Sequence, residues 1–96
     1  MRYANIHVSK HAKRRYLQKH TGIPLDCQEQ SDLELADRII MKLMPNTTEV
    51  KFTDVRKLTS IRLTKNVLYF INPDKTLLFV CKPKNRLLTV VTIVRI

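Results

Sequence analysis

The spacing of hydrophobic residues changes once along this chain, close to residue 46. Before that point apolar residues recur at intervals of three and four, which is the period of a helix with one buried face. After it they alternate with polar residues or form short runs rich in β-branched and aromatic side chains, as strands do. The change predicts an α+β fold in which two N-terminal helices pack on a C-terminal antiparallel sheet.

The first helix is predicted over residues 10–20, directly after a short strand at residues 6–8. Ser9 stands where a hydroxyl can cap the N-terminus of the helix. Gly22 can adopt the left-handed conformation that ends a helix, and Pro24 cannot continue one. The helix therefore has a defined start and a defined end.

The second helix is predicted to begin with a capping box, in which Ser31 is the N-cap and Glu34 lies three residues later. Apolar residues then recur at helical spacing until Pro45 ends the helix. We expect this apolar stripe to cover a sheet. It consists of Leu33, Ala36, Ile39, Ile40 and Leu43.

The second half of the chain is predicted to form four or five strands, which short turns join as antiparallel neighbours. Asn72-Pro73-Asp74-Lys75 suits a type I turn between two of them. The last three strands are apolar on both faces and should occupy the centre of the sheet. The segments are 48–52, 58–64, 67–72, 77–82 and 87–95, and residues 1–96 are predicted to form one domain with this β-meander as its sheet.

Charge narrows the classes of function. The chain has 18 Lys and Arg residues against 8 Asp and Glu, a net charge of +10. Residues 1–25 contain no acid, so the positive field is concentrated at the first helix. Such a field predicts nucleic acid as the partner, ahead of an anionic membrane surface or an acidic protein. The alternative is a charge that only keeps the protein soluble.

Other features favour a cytoplasmic protein without membrane contact, metal or cofactor. No apolar run approaches the roughly 18 residues of a membrane span, and the start MRYANIHVSK lacks the apolar region of a secretory signal. Cys27 and Cys81 are far apart, and the histidines lack the partners that complete a zinc site. Cys81 lies in the apolar run LLFVC and is predicted to be a core residue.

The first helix carries the candidate chemistry. Helical geometry places His11, Arg14, Arg15 and Gln18 on one face, with Tyr16 towards the core. A histidine exchanges protons near neutral pH and arginine forks fit phosphate oxygens, a combination suited to metal-independent cleavage of RNA. The simpler interpretation is a solvated basic helix that only contacts phosphates. The predicted catalytic residues are His11 and Arg15, and the predicted nucleic-acid contacts are Lys10, Arg14, Arg15, Gln18, Lys19, Lys82, Lys84 and Arg86.

Two tyrosines and two further histidines are assigned other roles. Tyr16 or Tyr69 is a candidate for stacking on a base, although Tyr69 within VLYFI is more typical of a core. His20 is predicted to be a helix cap or core residue, and His7, in the short first strand, a structural one.

The segment IHVSKHAKRRYLQKH, followed by a second helix and a meander ending in VVTIV, resembles small domains of the barnase/EndoU/colicin/RelE-like superfamily. That superfamily includes toxin-type members and members encoded by phages and mobile elements. The resemblance implies metal-independent RNA cleavage or RNA binding on the sheet face, and it marks His11 and Arg15. Many members also use polar or basic residues on the late strands. Here those strands are apolar except for Thr89, Thr92 and Arg95, which favours a relative that binds without cleaving.

Three functions therefore compete at this point. The chain is a metal-independent ribonuclease of toxin type, or a non-catalytic binder of nucleic acid, with RNA favoured over DNA. Alternatively it is an inhibitor or regulator that binds a host nucleic-acid-processing protein through its positive surface. The apolar last strand is a further candidate for pairing with an antitoxin partner or with a second copy in a homodimer.

Overall fold

The computed structural model describes residue 3, residues 5–59 and residues 66–96. Within these residues the protein has three α-helices and five β-strands. The helices are α1 (Lys10–Tyr16), α2 (Gln30–Leu43) and α3 (Phe52–Leu58), and the strands are β1 (Asn5–Val8), β2 (Thr48–Val50), β3 (Leu68–Ile71), β4 (Leu77–Lys84) and β5 (Leu87–Arg95).

The five strands form one mixed sheet in the order β1-β5-β4-β3-β2. Neighbours from β2 to β5 are antiparallel, whereas β1 pairs with β5 in parallel, Asn5 opposite Leu87 and Val8 opposite Val90. The α+β class is confirmed, but a purely antiparallel meander with two helices is wrong. The reason is that the chain crosses over through the helices after β1, and a crossover allows the parallel pairing that a short turn forbids.

The local signals at α1 are confirmed. The hydroxyl of Ser9 accepts a hydrogen bond from the Ala12 amide at 3.1 Å, so Ser9 is the N-cap. The predicted helix 10–20 is α-helical to Tyr16 and continues as a π-helical turn, Leu17–Thr21. Gly22 ends it with a φ of 76°, in the left-handed region. We call Leu17–Thr21 the π turn.

The start of α2 is a correction. The N-cap is Glu29, two residues before the predicted Ser31, and its amide donates to Asp32 Oδ2 at 3.0 Å. Asp32 thus takes the place predicted for Glu34, because its short side chain reaches back to the amide of the N-cap. The apolar stripe is confirmed: Leu33, Ala36 and Ile40 are buried and Ile39 and Leu43 are half-buried.

Helix α3 replaces the end of one predicted strand and the start of another. Phe52 was expected to end the strand 48–52, but β2 stops at Val50 and Phe52 begins α3. Leu58, expected to begin the strand 58–64, is the last residue of α3, and residues 60–65 lie outside the described residues. The apolar residues Phe52, Val55 and Leu58 recur every three positions, a helical spacing that the alternation of neighbouring segments obscures.

Both faces of the sheet are apolar, as predicted for the last three strands. The front face, which includes Phe79, Cys81 and Val90, packs against α1 and α2. The back face, which includes Tyr69 and Val80, packs against Val55 of α3. Cys81 is fully buried, so its assignment to the core is confirmed.

The hairpin turns hold their neighbours in register. The side chain of Asn72 is buried, and its Oδ1 accepts from the amides of Thr76 and Leu77 at 2.9 and 3.0 Å. The predicted turn at residues 72–75 is confirmed by the bond from the Lys75 amide to the Asn72 carbonyl, 3.0 Å. The next turn is tighter than predicted, since β4 runs two residues past Lys82 and Asn85 turns the chain with a φ of 57°. None of the helices in the described part of the chain has the length and apolar character needed to cross a bilayer.

Candidate nucleic-acid interface

Three contacts fix α1 on the body of the protein. Lys13 Nζ lies 3.5 Å from Asp37 Oδ1 on α2. Gln28 Nε2 donates to the carbonyl of Arg14 at 3.0 Å, and the Ser9 hydroxyl donates to the carbonyl of Val91 at 3.0 Å. The helix is therefore held both to α2 and to β5, and its orientation determines which cations face outwards.

A groove lies between α1 and the second half of β5. Strand β1 covers β5 only along residues 87–90, so beyond Val90 no described strand pairs with that side of β5. The end of α1 and the π turn lie beside this part of the strand, and the space between them is a groove of about 570 Å³. We call it the helix groove. Its lining residues are Arg15, Lys19, Thr92, Ile93, Val94, Arg95 and Ile96.

The charged side chains that line the helix groove all have one sign. Arg15 and Lys19 come from the helical side and Arg95 from the strand, and no carboxylate side chain is among the lining residues. Arg15 Nη1 donates to Gln18 Oε1 at 3.3 Å, and Arg95 Nη1 donates to the Lys19 carbonyl at 3.3 Å. Each guanidinium uses one of these contacts for positioning and keeps other N–H groups for a ligand, since an arginine has five.

The π turn explains why the Lys19 carbonyl is free for Arg95. In an α-helix that carbonyl would accept from the amide of Ile23, but this amide donates to the Leu17 carbonyl instead, at 3.1 Å. The next residue, Pro24, has no N–H to offer. The unpaired carbonyl therefore faces a donor from β5, and the helix is joined to the strand at the groove.

The predicted helical residues lie as follows. His11 and Arg14 are exposed, whereas Arg15 and Gln18 are half-buried. No described residue makes a side-chain hydrogen bond to the imidazole of His11. His11 and Arg15 are one helical turn apart, so they are neighbours on the helix surface. Lys10 and Lys19 are exposed at either end of this stretch.

The predicted cations of the last hairpin lie elsewhere. Lys82 and Lys84 are exposed. Cys81, the residue before Lys82 on β4, packs on the front face, so strand alternation places both lysines on the back face. Arg86 is exposed in the turn. The helix groove lies at the uncovered edge of β5, and neither hairpin lysine is among its lining residues.

Neither candidate tyrosine presents its ring to a ligand. Tyr16 is 5% exposed and Tyr69 is 4% exposed, so stacking of a base on either ring is a wrong prediction. The ring of Tyr16 is stacked by His20, with 5.0 Å between ring centroids, and burial raises the pKa of Tyr16. His20 is itself exposed and lies over this ring instead of entering the core. His7 lies in the first strand, as predicted, and is exposed.

Arg95 is the site residue that sequence reasoning missed. The sequence marks it only as a polar exception on an apolar strand, and nothing local relates it to α1. Its place in the groove follows from the packing of α1 on β5, which joins residues 76 positions apart. A basic residue at the end of an otherwise apolar strand is the only signal available before the fold is known.

Metal ligands and thiols add no chemistry to the groove. Within the described ranges, no group of three His, Cys, Asp or Glu side chains is arranged to hold a metal ion. Cys27 is exposed, and Cys81 lies in the core, where burial raises the pKa of its thiol to about 12. Compared with models of known protein families, with curated proteins and with solved structures, the chain matches none.

Proposed function

We propose that this protein binds nucleic acid, with single-stranded RNA as the favoured ligand, along the helix groove and the exposed side of α1. The observation that carries the proposal is the convergence of Arg15, Lys19 and Arg95 on a groove whose lining contains no acidic side chain. Unopposed cations from two elements neutralise successive phosphates, and guanidinium forks match phosphate oxygens. The preference for RNA rests on the superfamily resemblance of the segment that contains His11 and Arg15.

The salt dependence of RNA binding tests this proposal. We expect the affinity for a short single-stranded RNA to fall linearly with salt on logarithmic axes, with a slope of roughly −0.7 per neutralised phosphate. Replacing Arg15, Lys19 and Arg95 together by Ala should flatten that slope by about 2, because three phosphate contacts are lost. Fluorescence anisotropy at several salt concentrations measures it, and a DNA of the same sequence tests the preference for RNA.

A matched control separates the groove from net charge. Lys42, Lys51 and Lys75 are exposed and none lines the helix groove, so replacing these three by Ala removes the same charge elsewhere. An equal loss of slope in both triple variants would show that overall charge, and not the groove, binds the RNA. A flat salt response of the unsubstituted protein would contradict the proposal altogether.

Ribonuclease activity is a second candidate function, favoured by one observation. The exposed imidazole of His11 lies one helical turn from Arg15, which lines the groove. In that position it can accept the proton of a ribose 2′-hydroxyl while the guanidinium stabilises charge on the attacked phosphate.

Cleavage of RNA in the presence of EDTA tests this second candidate. We expect a ribonuclease to lose roughly 10²- to 10⁴-fold in rate on replacement of His11 by Ala, the usual contribution of a general base. His7 is the matched control, because it is also exposed but lies on β1, on the sheet face opposite α1. Cleavage that survives in H11A rejects His11 as the general base, and absence of cleavage on several RNAs rejects this function; both outcomes leave the proposed binding intact.

A further inference from the structure

A second pocket lies on the back face of the sheet, at the end where β4 turns into β5. Helix α3 covers Tyr69 and Val80 on this face, but towards the turn Leu87 and Val91 remain 38% and 36% exposed. They belong to a pocket of about 630 Å³. We call it the hairpin pocket, and its lining residues are Asn66, Lys82, Pro83, Lys84, Leu87, Thr89 and Val91.

The register of β4 and β5 places the lysines of the pocket opposite residues of β5. Lys82 is opposite Thr89, and Lys84 is opposite Leu87. Both lysines therefore lie beside the residues that β5 contributes to the pocket, Leu87, Thr89 and Val91. No acidic side chain lines the pocket, and no carboxylate of the described residues forms an ion pair with either lysine. The hairpin pocket therefore combines exposed apolar side chains with the positive charges of two lysines, and no described acidic residue pairs with either lysine.

We propose that the hairpin pocket binds a peptide segment of a partner protein, one that presents carboxylates to Lys82 and Lys84 and an aliphatic side chain to Leu87 and Val91. An apolar centre with a charged rim is the usual composition of a protein–protein interface. The unopposed lysines select acidic partners and repel basic ones. This inference does not depend on the proposed binding of RNA, because the hairpin pocket and the helix groove share no lining residue.

The lining of the pocket distinguishes a peptide ligand from a nucleic acid. Unpaired bases are bound by stacking on aromatic rings or guanidinium planes. The lining residues include no aromatic side chain and no arginine, and Arg86 in the adjoining turn is not among them. Leu87, Val91 and Pro83 offer aliphatic contacts instead, which suit Leu, Ile or Val of a peptide.

Methyl NMR of the full chain, with labelled Leu and Val residues, tests the proposal directly. The probes are a short synthetic peptide of alternating Glu and Leu, a matching peptide of Lys and Leu, and a short polyuridine RNA. We expect only the acidic peptide to shift the methyl signals of Leu87 and Val91. Shifts of these signals by RNA would reassign the pocket to nucleic acid, and no shift with the acidic peptide at millimolar concentration would overturn the proposal.

Charge reversal provides the second measurement. Replacement of Lys82 and Lys84 by Glu should weaken the binding of the acidic peptide by about tenfold or more, since two attractive contacts become repulsive. The matched control replaces Lys42 and Lys75 by Glu, which changes the net charge equally at exposed positions outside the pocket. Equal weakening in both variants, or none in the first, would reject the pocket as the binding site. The spectra of each variant also show whether it is folded.

Discussion

At the scale of single residues, burial changes the acidity of the Cys81 thiol. It lies on β4 on the front face, fully buried beneath the two N-terminal helices. Removal from water disfavours the thiolate, and the pKa of Cys81 rises from 9.0 to about 12. In the unfolded chain the same thiol loses its proton at lower pH, so the folded and unfolded states bind different numbers of protons in alkaline solution.

That difference predicts the alkaline stability of the protein. The contribution of Cys81 is fully present below pH 9 and is lost as the pH rises towards about 12, because the unfolded state then holds fewer protons. The free energy of unfolding should fall by up to about 1.4 kcal/mol per pH unit in this range. Burial also raises the pKa of Tyr16, which adds to the loss at higher pH.

Urea denaturation at a series of pH values above neutral checks this dependence. Replacement of Cys81 by Ala should make the decline shallower, although the smaller side chain also lowers stability at every pH. Replacement of Cys27, which is exposed, should leave the decline unchanged. Parallel curves for the C81A variant and the unsubstituted protein would show that Cys81 does not determine the slope.

At the scale of elements, α1 and the π turn act together as the part of the fold that forms the helix groove. Ser9 begins the unit and Gly22 ends it, and in between the change from α to π hydrogen bonding leaves the Lys19 carbonyl to Arg95. Such π turns are rare and occur frequently at functional sites. The groove therefore depends on how this helix ends as well as on its charges.

Replacing Gly22 by Ala tests the importance of that end. The φ of Gly22 is 76°, and a Cβ there would meet no atom within 4 Å, so the cost comes from the backbone conformation alone. We expect the free energy of unfolding to fall by about 1 kcal/mol, and by less for Asn, which tolerates the left-handed region better. Chemical denaturation measures both. An alanine variant as stable as the unsubstituted protein would mean that the π turn ends without help from Gly22.

Sequence alone predicts the elements whose signals are local. The Ser9 cap, the stop at Gly22 and the turn at Asn72 involve neighbours in the chain, and the structure confirms them. Helix α3 was missed because three apolar residues provide too short a pattern to outweigh the strands around it. The parallel partner of β1 and the role of Arg95 depend on contacts between distant residues, which no local pattern encodes.

At the scale of the whole molecule, the protein has two basic surfaces that share no lining residue. The helix groove lies beside α1, and Lys82 and Lys84 lie on the back face. Under the two proposals, each surface binds its own partner. The net charge of +10 acts on both, since a general positive field accelerates the approach of any polyanion.

This separation predicts how substitutions at the two surfaces affect the binding of RNA. Replacement of Lys82 and Lys84 by Ala should leave the salt slope of RNA binding unchanged and lower only the association rate, because neither lysine lines the helix groove. Stopped-flow and equilibrium anisotropy measure the two quantities separately. A slope reduced by about 0.7 for each lysine would instead place the hairpin on the RNA path.

The parallel pairing of β1 with β5 also has a consequence for the order of folding. Ser9 and Val91, which join the start of α1 to β5, are 82 positions apart in the chain. The hairpins between β3 and β5 can form from local contacts, but β1 has no partner strand until residues 87–90 have left the ribosome. A nascent chain that lacks β5 therefore has no helix groove, which forms only after residues 92–96 have emerged.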